Sequence, residues 1–240
     1  MQHHSRFAIY YVPPRHAPLY QFGAAWLGYD GYSGEPLPPV GDVADWRAIT
    51  EEPRGYGFHA TLKPPFALAE GATVDRLIDT CRVFAAKPRA IPLITPKVDA
   101  IGGFLAVVPS APSAELQQLA ADCVRDFDGL RAPLTEADRA RRRPEALSAP
   151  QRDYLERWGY PYVMDQFRFH MTLTGRLPEL QRAALLAQLQ QRFAELALDH
   201  CAIDRIVLCQ QQDHAPFRVI GEFQLERDDL RLRRLGFPNR

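Results

Sequence analysis

Hydrophobic positions along this chain switch between a period of two, which marks strands, and a period near 3.6, which marks helices. The run "RFAIYYVPP" (6–14) is apolar and aromatic until it meets two prolines, and predicts a short strand ending at a breaker. "LYQFGAAWLG" (19–28) predicts a helix, and the Gly-, Pro- and Asp-rich stretch 28–55 reads as an irregular insertion. In "YGFHATLKPPF" (56–66), His59, Thr61 and Lys63 alternate with Phe58, Ala60 and Leu62, so a strand is expected. Val74, Leu77, Ile78, Cys81 and Phe84 then recur at helical spacing behind Thr73, a ready N-cap. "IPLITPKVDAIGGFLAVVPS" (91–110) predicts two strands joined around Gly102 and Gly103.

From "GFLAVVPS" onward the same order returns. A helix capped by Ser113 carries Leu116, Leu119, Ala120 and Cys123 on one face, and a second insertion runs through 131–165. "QFRFHMTLTGRL" (166–177) matches the earlier alternating strand, a helix follows with Leu186, Leu189, Phe193 and Leu196 on its apolar side, and "DRIVLCQQQ" and "FRVIGEFQLE" close a hairpin across "DHAP". Two β-α-β-α-β units predict an α+β fold of duplicated, bilobal form. Two antiparallel sheets are expected to face each other across a central groove, with helices on their outer faces. Residues 1–240 then form a single bilobal domain, with one lobe over 1–102 and the other over 103–240 and their strands open to interleaving. No G-x-G-x-x-G follows a predicted strand, which argues against a doubly wound nucleotide fold.

Period-two geometry also sorts the chemistry. His59, Thr61 and Lys63 share one strand face, as do Arg168, His170, Thr172 and Thr174 in the second unit. A groove between the two rows would hold two imidazoles, hydroxyls and cations, a set suited to a phosphodiester. With an unperturbed pKa of ~6.5, one histidine can take a proton while the other gives one. Lys63 opposite Thr174 breaks the symmetry of the two rows and could orient a substrate.

Composition removes competing classes. Lys plus Arg and Asp plus Glu are 29 each, so no global field draws the chain to nucleic acid, and any anion site must be local. Four scattered cysteines without a C-x-x-C pair suit reduced, mostly buried thiols and a cytoplasmic location. The longest N-terminal apolar run is shorter than a signal-peptide core or a membrane span, so the chain is expected to be soluble, untargeted and free of membrane partners. His3 and His4 read as a solvated terminus, and His16, His200 and His214 as structural or exposed. Arg139–Arg143 reads as a solvated helical face beside Glu136, Asp138 and Glu145, although it could also draw phosphorylated ligands or RNA. Trp26, Trp46 and Trp158 read as packing anchors, and Arg54, Tyr56 and Tyr11 are peripheral candidates for the groove.

"HATL" (59–62) and "HMTL" (170–173) together resemble the paired H-x-[ST]-hydrophobic signatures of the two-histidine (2H) phosphoesterase superfamily. The surrounding "YYVPP", "WLGYD", "PRGYGFHATLKPPF" and "FRFHMTLTGRL" are similar to the branch associated with phosphonate breakdown by carbon-phosphorus lyase. The resemblance spans nearly the whole chain. It implies a metal- and cofactor-independent monomeric cyclic phosphodiesterase with His59 and His170 catalytic and Thr61 and Thr172 binding phosphate, and with Lys63 and Arg168 as further phosphate-binding candidates. It also implies a small sugar or nucleotide cyclic phosphate as substrate, such as 5-phosphoribosyl 1,2-cyclic phosphate. RNA 2',3'-cyclic phosphate or 2'-5' end processing, with RNA as partner, and non-catalytic binding of a phosphorylated ligand stand as alternatives.

Overall fold

The computed structural model describes residues 5–40 and 43–228; His3 and His4 lie outside them. Strand β1 (Ser5–Tyr11) leads into helix α1 (Pro18–Leu27), short strands β2 (Tyr29–Asp30) and β3 (Glu35–Pro36), helix α2 (Trp46–Arg54) and strand β4 (Ala60–Phe66). Helix α3 (Val74–Ala85), β5 (Leu93–Ile94) and the hairpin of β6 (Pro96–Ile101) and β7 (Phe104–Pro109) come next. Helices α4 (Ala114–Asp128), α5 (Glu136–Arg141) and α6 (Ala149–Trp158) precede β8 (Met171–Thr172), and α7 (Glu179–Ala194), β9 (Cys201–Ala202), β10 (Arg205–Gln212) and β11 (Arg218–Gln224) follow it.

Local chemistry accounts for these boundaries. The Thr73 and Ser113 hydroxyls accept from the backbone N–H of Arg76 and Leu116, each at 3.2 Å, and so start α3 and α4 as expected. Gly28 ends α1 in the left-handed region (φ 70°), which favours glycine. The two insertions are not irregular throughout. The first contains α2, whose Trp46, Ile49, Thr50 and Pro53 are buried at helical spacing. The second contains α5 and α6, each opened by a capping box, Thr135 with Asp138 and Ser148 with Gln151. Dense glycine and proline hid these short helices from periodicity.

The expected pair of facing sheets is instead one seven-stranded antiparallel sheet, ordered β11-β10-β1-β4-β8-β7-β6. The difference lies in β4 and β8, which pair with each other through Ala60 and Met171 and join strands from both halves. Pairing crosses the halves again where β6 meets β7 and where β10 meets β1. Helix α3 lies against β10 and β11, α4 against β4, and α7 against β6 and β7.

Helix α1 supports the back of the central strands. Gly23 lets it approach so closely that an added Cβ would lie 2.1 Å from the Phe58 ring, and the Trp26 indole N–H donates to the Leu173 carbonyl at 2.8 Å. Trp46 donates in turn to the Trp26 carbonyl at 2.7 Å, so both tryptophans are packing anchors. Cys81, Cys123 and Cys209 are buried, Cys201 is half-buried, and all four are free thiols. Among the described residues no helix is long and apolar enough to cross a membrane.

Candidate functional site

His59 and His170 stand immediately before β4 and β8, the two central strands of the sheet. Continuing the antiparallel register of Ala60 with Met171 by one residue sets Thr61 opposite His170 and His59 opposite Thr172. Directly opposed side chains project to the same face with Cβ atoms about 5 Å apart, and diagonal neighbours lie about 7–8 Å apart. The structure therefore brings His59, Thr61, His170 and Thr172 together on one face, while Phe58, Ala60, Met171 and Leu173 are buried on the other.

Both imidazoles are held in the same tautomer. The Nδ1–H of His59 donates to the Gly57 carbonyl at 2.9 Å, and that of His170 to the Arg168 carbonyl at 2.7 Å. A carbonyl only accepts, so Nδ1 carries the proton and each Nε2 keeps its lone pair. The Thr61 hydroxyl donates to Nε2 of His59 at 3.1 Å. Burial, opposed by the bond to Gly57 and aided by the charge of His170, lowers the His59 pKa to about 4, an electrostatic link between the two rings. Burial likewise lowers His170, opposed by its bond to the Arg168 carbonyl. Tyr10 stacks on His59 with ring centroids 3.8 Å apart, and Phe104 lies 5.6 Å from His170.

A cavity of about 460 Å³ opens beside this pair, reaching Thr61 and His170. Arg168 and Arg176 give it positive charge, Tyr160 and Tyr162 give it aromatic surface, and among the described residues no Asp or Glu lines it. Arg176, Tyr160 and Tyr10 escaped sequence reasoning, because arginines and aromatics are common and only the fold sets these three beside the histidines. Gly103 in the β6–β7 turn makes room for Arg176, since a Cβ there would approach its guanidinium to 3.2 Å.

Two expected groove residues point elsewhere. Ile9 pairs with Lys63 whereas Tyr10 pairs with Thr61, so a β-bulge at Leu62 reverses the alternation and turns Lys63 inward. Only 1% exposed, Lys63 donates to the Val124 carbonyl and to Asp128, each at 3.2 Å, and burial lowers its pKa to about 8 against the pull of Asp128. It is a structural cation and not a phosphate ligand. Thr174 is also 1% exposed, because the amides of both Leu173 and Thr174 turn to the Leu105 carbonyl. Its hydroxyl accepts from the Leu105 N–H and donates to the Gly175 carbonyl. The Lys63–Thr174 asymmetry therefore cannot orient a substrate.

Other candidates have structural partners. Arg54 donates to the Leu27 carbonyl and lies over Trp46, and the Tyr11 hydroxyl meets Cys201 and the Ala202 carbonyl. Tyr56 sits on the rim, its ring 6.2 Å from His59. In the basic run Arg139 pairs with Glu156 and Arg141 with Asp138, while Arg142 covers Tyr160. His16, His200 and His214 are exposed. Among the described residues no cluster of three or more His, Cys, Asp or Glu could hold a metal ion.

Fold and site thus define an α+β protein with two like-oriented imidazoles on neighbouring central strands. The chain belongs to the family described as "Protein of unknown function (DUF1045)", whose profile matches residues 61–218. It is 39% identical over 222 residues to a Janthinobacterium sp. (strain Marseille) protein named ribose 1,5-bisphosphate phosphokinase PhnN, covering 89% of this chain and 49% of that one. A protein of the same name from Laribacter hongkongensis (strain HLHK9) is 36% identical over 190 residues, covering 78% and 44%. The chain therefore spans about half the length of the curated relatives it matches. A conserved protein of unknown function from Agrobacterium tumefaciens str. C58 aligns over 92% of this chain and 87% of its own with a TM-score of 0.40 and 13% identity.

Proposed function

We propose that this chain hydrolyses a cyclic phosphodiester by general acid–base catalysis from His59 and His170, as a member of the two-histidine phosphoesterase superfamily. The observation that carries the reading is the Ala60–Met171 register, which brings two H-x-T triplets side by side with both Nε2 atoms unprotonated at neutral pH. Exchange of β1 with β7, β4 with β8 and β6 with β10 preserves the order of the six strands β10-β1-β4-β8-β7-β6, which supports a duplicated unit with exchanged closing strands.

In this proposal His59 is the base and His170 the acid, an assignment that the leaving-group test below decides. His59 Nε2 takes a proton from water as the water oxygen adds to phosphorus. His170, protonated once the substrate anion is bound beside it, gives its Nε2 proton to the departing sugar oxygen. On substrate binding the Thr61 hydroxyl leaves His59 Nε2, and Thr61 and Thr172 donate to the non-bridging oxygens.

The relatives' name points to the substrate. Adding water to 5-phosphoribosyl 1,2-cyclic phosphate with cleavage of the bond between phosphorus and O2 yields ribose 1,5-bisphosphate, the compound in that name. The kinase activity itself fits the remainder of those longer proteins, because this chain has no G-x-x-x-x-G-K-[ST] phosphate loop. Arg168 and Arg176, in a cavity without carboxylates, suit the 5-phosphate.

Turnover of this cyclic ester, followed by ³¹P NMR, tests the reading. Replacing either histidine by alanine should cost about 10²–10⁴-fold in kcat. With an aryl phosphodiester, whose leaving group needs no proton, His170→Ala should recover and His59→Ala should not. The double change Arg168→Ala with Arg176→Ala should raise KM for the 5-phosphorylated ester and leave KM for its unphosphorylated analogue unaltered. Undiminished turnover in both histidine variants would remove the proposal, and a preference for an oligonucleotide 2',3'-cyclic phosphate would reassign the substrate to RNA.

A further inference from the structure

Among the described residues, one buried side-chain oxygen or nitrogen has no hydrogen-bond partner, the hydroxyl of Tyr10. Burial does not strand the other phenols of this fold. Tyr11, the next residue on β1, meets Cys201 and the Ala202 carbonyl; Tyr20 donates to Asp30 at 2.7 Å, and Tyr29 to the Phe217 carbonyl at 3.0 Å. Leaving a buried O–H unbonded is costly, and such groups concentrate where a ligand completes them.

Its position places this group in the candidate site. Tyr10 pairs with Thr61 across β1 and β4, which puts both side chains on the face of the histidines. Its ring, 0% exposed, stacks on His59 at a centroid distance of 3.8 Å and an interplanar angle of 27°. After burial, Cys209 acts most on its ionisation, followed by Tyr56, Arg6 and last Tyr160, a wall of the cavity that holds Thr61 and His170. The hydroxyl thus belongs to a side chain that shares a face with Thr61 and packs on the ring of His59. Burial raises its pKa, so the oxygen keeps its proton and is a donor at every working pH. Phe217 lies 5.9 Å from the Tyr10 ring and stacks at 5.6 Å on Tyr56, which is 38% exposed.

We propose that the Tyr10 hydroxyl is a substrate-contacting group, donating a hydrogen bond to an oxygen of the phosphoryl anion held beside His59 and Thr61. The proposal rests on the phosphoesterase reading of the same site. It assigns Tyr10 two jobs, a ring that orients the base and an oxygen that meets the substrate.

Tyr10→Phe separates those jobs, since it keeps the stack and removes only the oxygen. With the 5-phosphoribosyl cyclic ester, kcat/KM should fall on the order of 10–100-fold, as for loss of one donor to a charged oxygen. The thermal midpoint should be unchanged or higher, because no bond within the protein is lost. Inorganic phosphate should raise the midpoint of the wild type more than that of the variant. Wild-type kcat/KM and an equal response to phosphate in Tyr10→Phe would overturn the proposal, as would a fall in activity accompanied by a lower midpoint, which marks a packing role. His59→Ala and His170→Ala run in parallel distinguish the failures. If they are inert while Tyr10→Phe is unimpaired, only the Tyr10 assignment falls; if the wild type hydrolyses no cyclic ester, both fall.

Discussion

His59 links stability to pH. Burial holds its folded-state pKa at about 4, against about 6.5 in an unfolded chain. Between those values the unfolded chain binds a proton that the folded chain refuses, so stability falls as the pH drops from 6.5 to 4, by at most about 3 kcal/mol. Denaturant melts should show wild type losing more stability between pH 7 and 4.5 than His59→Gln, and parallel losses would mean that His59 is not the titrating group. The same residue shows what the chain made legible. Two H-x-T triplets at equivalent places in a repeat marked His59, Thr61, His170 and Thr172 from sequence. Lys63 obeyed the same alternation and was misread, because an extra residue at Leu62 turns it inward and leaves no trace in the pattern.

At the scale of elements, the groove depends on what lies behind it. Phe58 is 2% exposed, and the α1 backbone at Gly23 leaves its ring no spare space. Gly23→Ala should gain helix propensity of about 1 kcal/mol but lose about 1–3 kcal/mol by overpacking, with a displaced Phe58 disturbing the neighbouring His59. Activity should therefore fall more than stability, and a variant at least as active as the wild type would show that α1 does not set the position of β4. Long elements such as α3, α4, α7 and the two hairpins could be read from periodicity, because their buried faces repeat over several turns or strand residues. Helices α2, α5 and α6 could not, although the Thr135 and Ser148 capping boxes were present as sequence signals.

For the whole molecule, pairing across the halves predicts that neither folds alone. Fragment 1–102 lacks the β7 and β10 partners of β6 and β1, and fragment 103–240 lacks the reciprocal partners. Circular dichroism should find each fragment largely unfolded and a mixture regaining ordered signal; a cooperatively folded single fragment would contradict the interleaved sheet. The order of the long strands and helices, the paired histidine triplets and the absence of a phosphate loop followed from sequence alone, since each depends on local spacing. Tertiary structure alone decided that both halves share one sheet, that Lys63 and Thr174 turn inward, and that Tyr10 and Arg176 join the histidines. Strand order, bulges and cross-strand neighbours are set by contacts between residues distant in the chain, which no local period encodes.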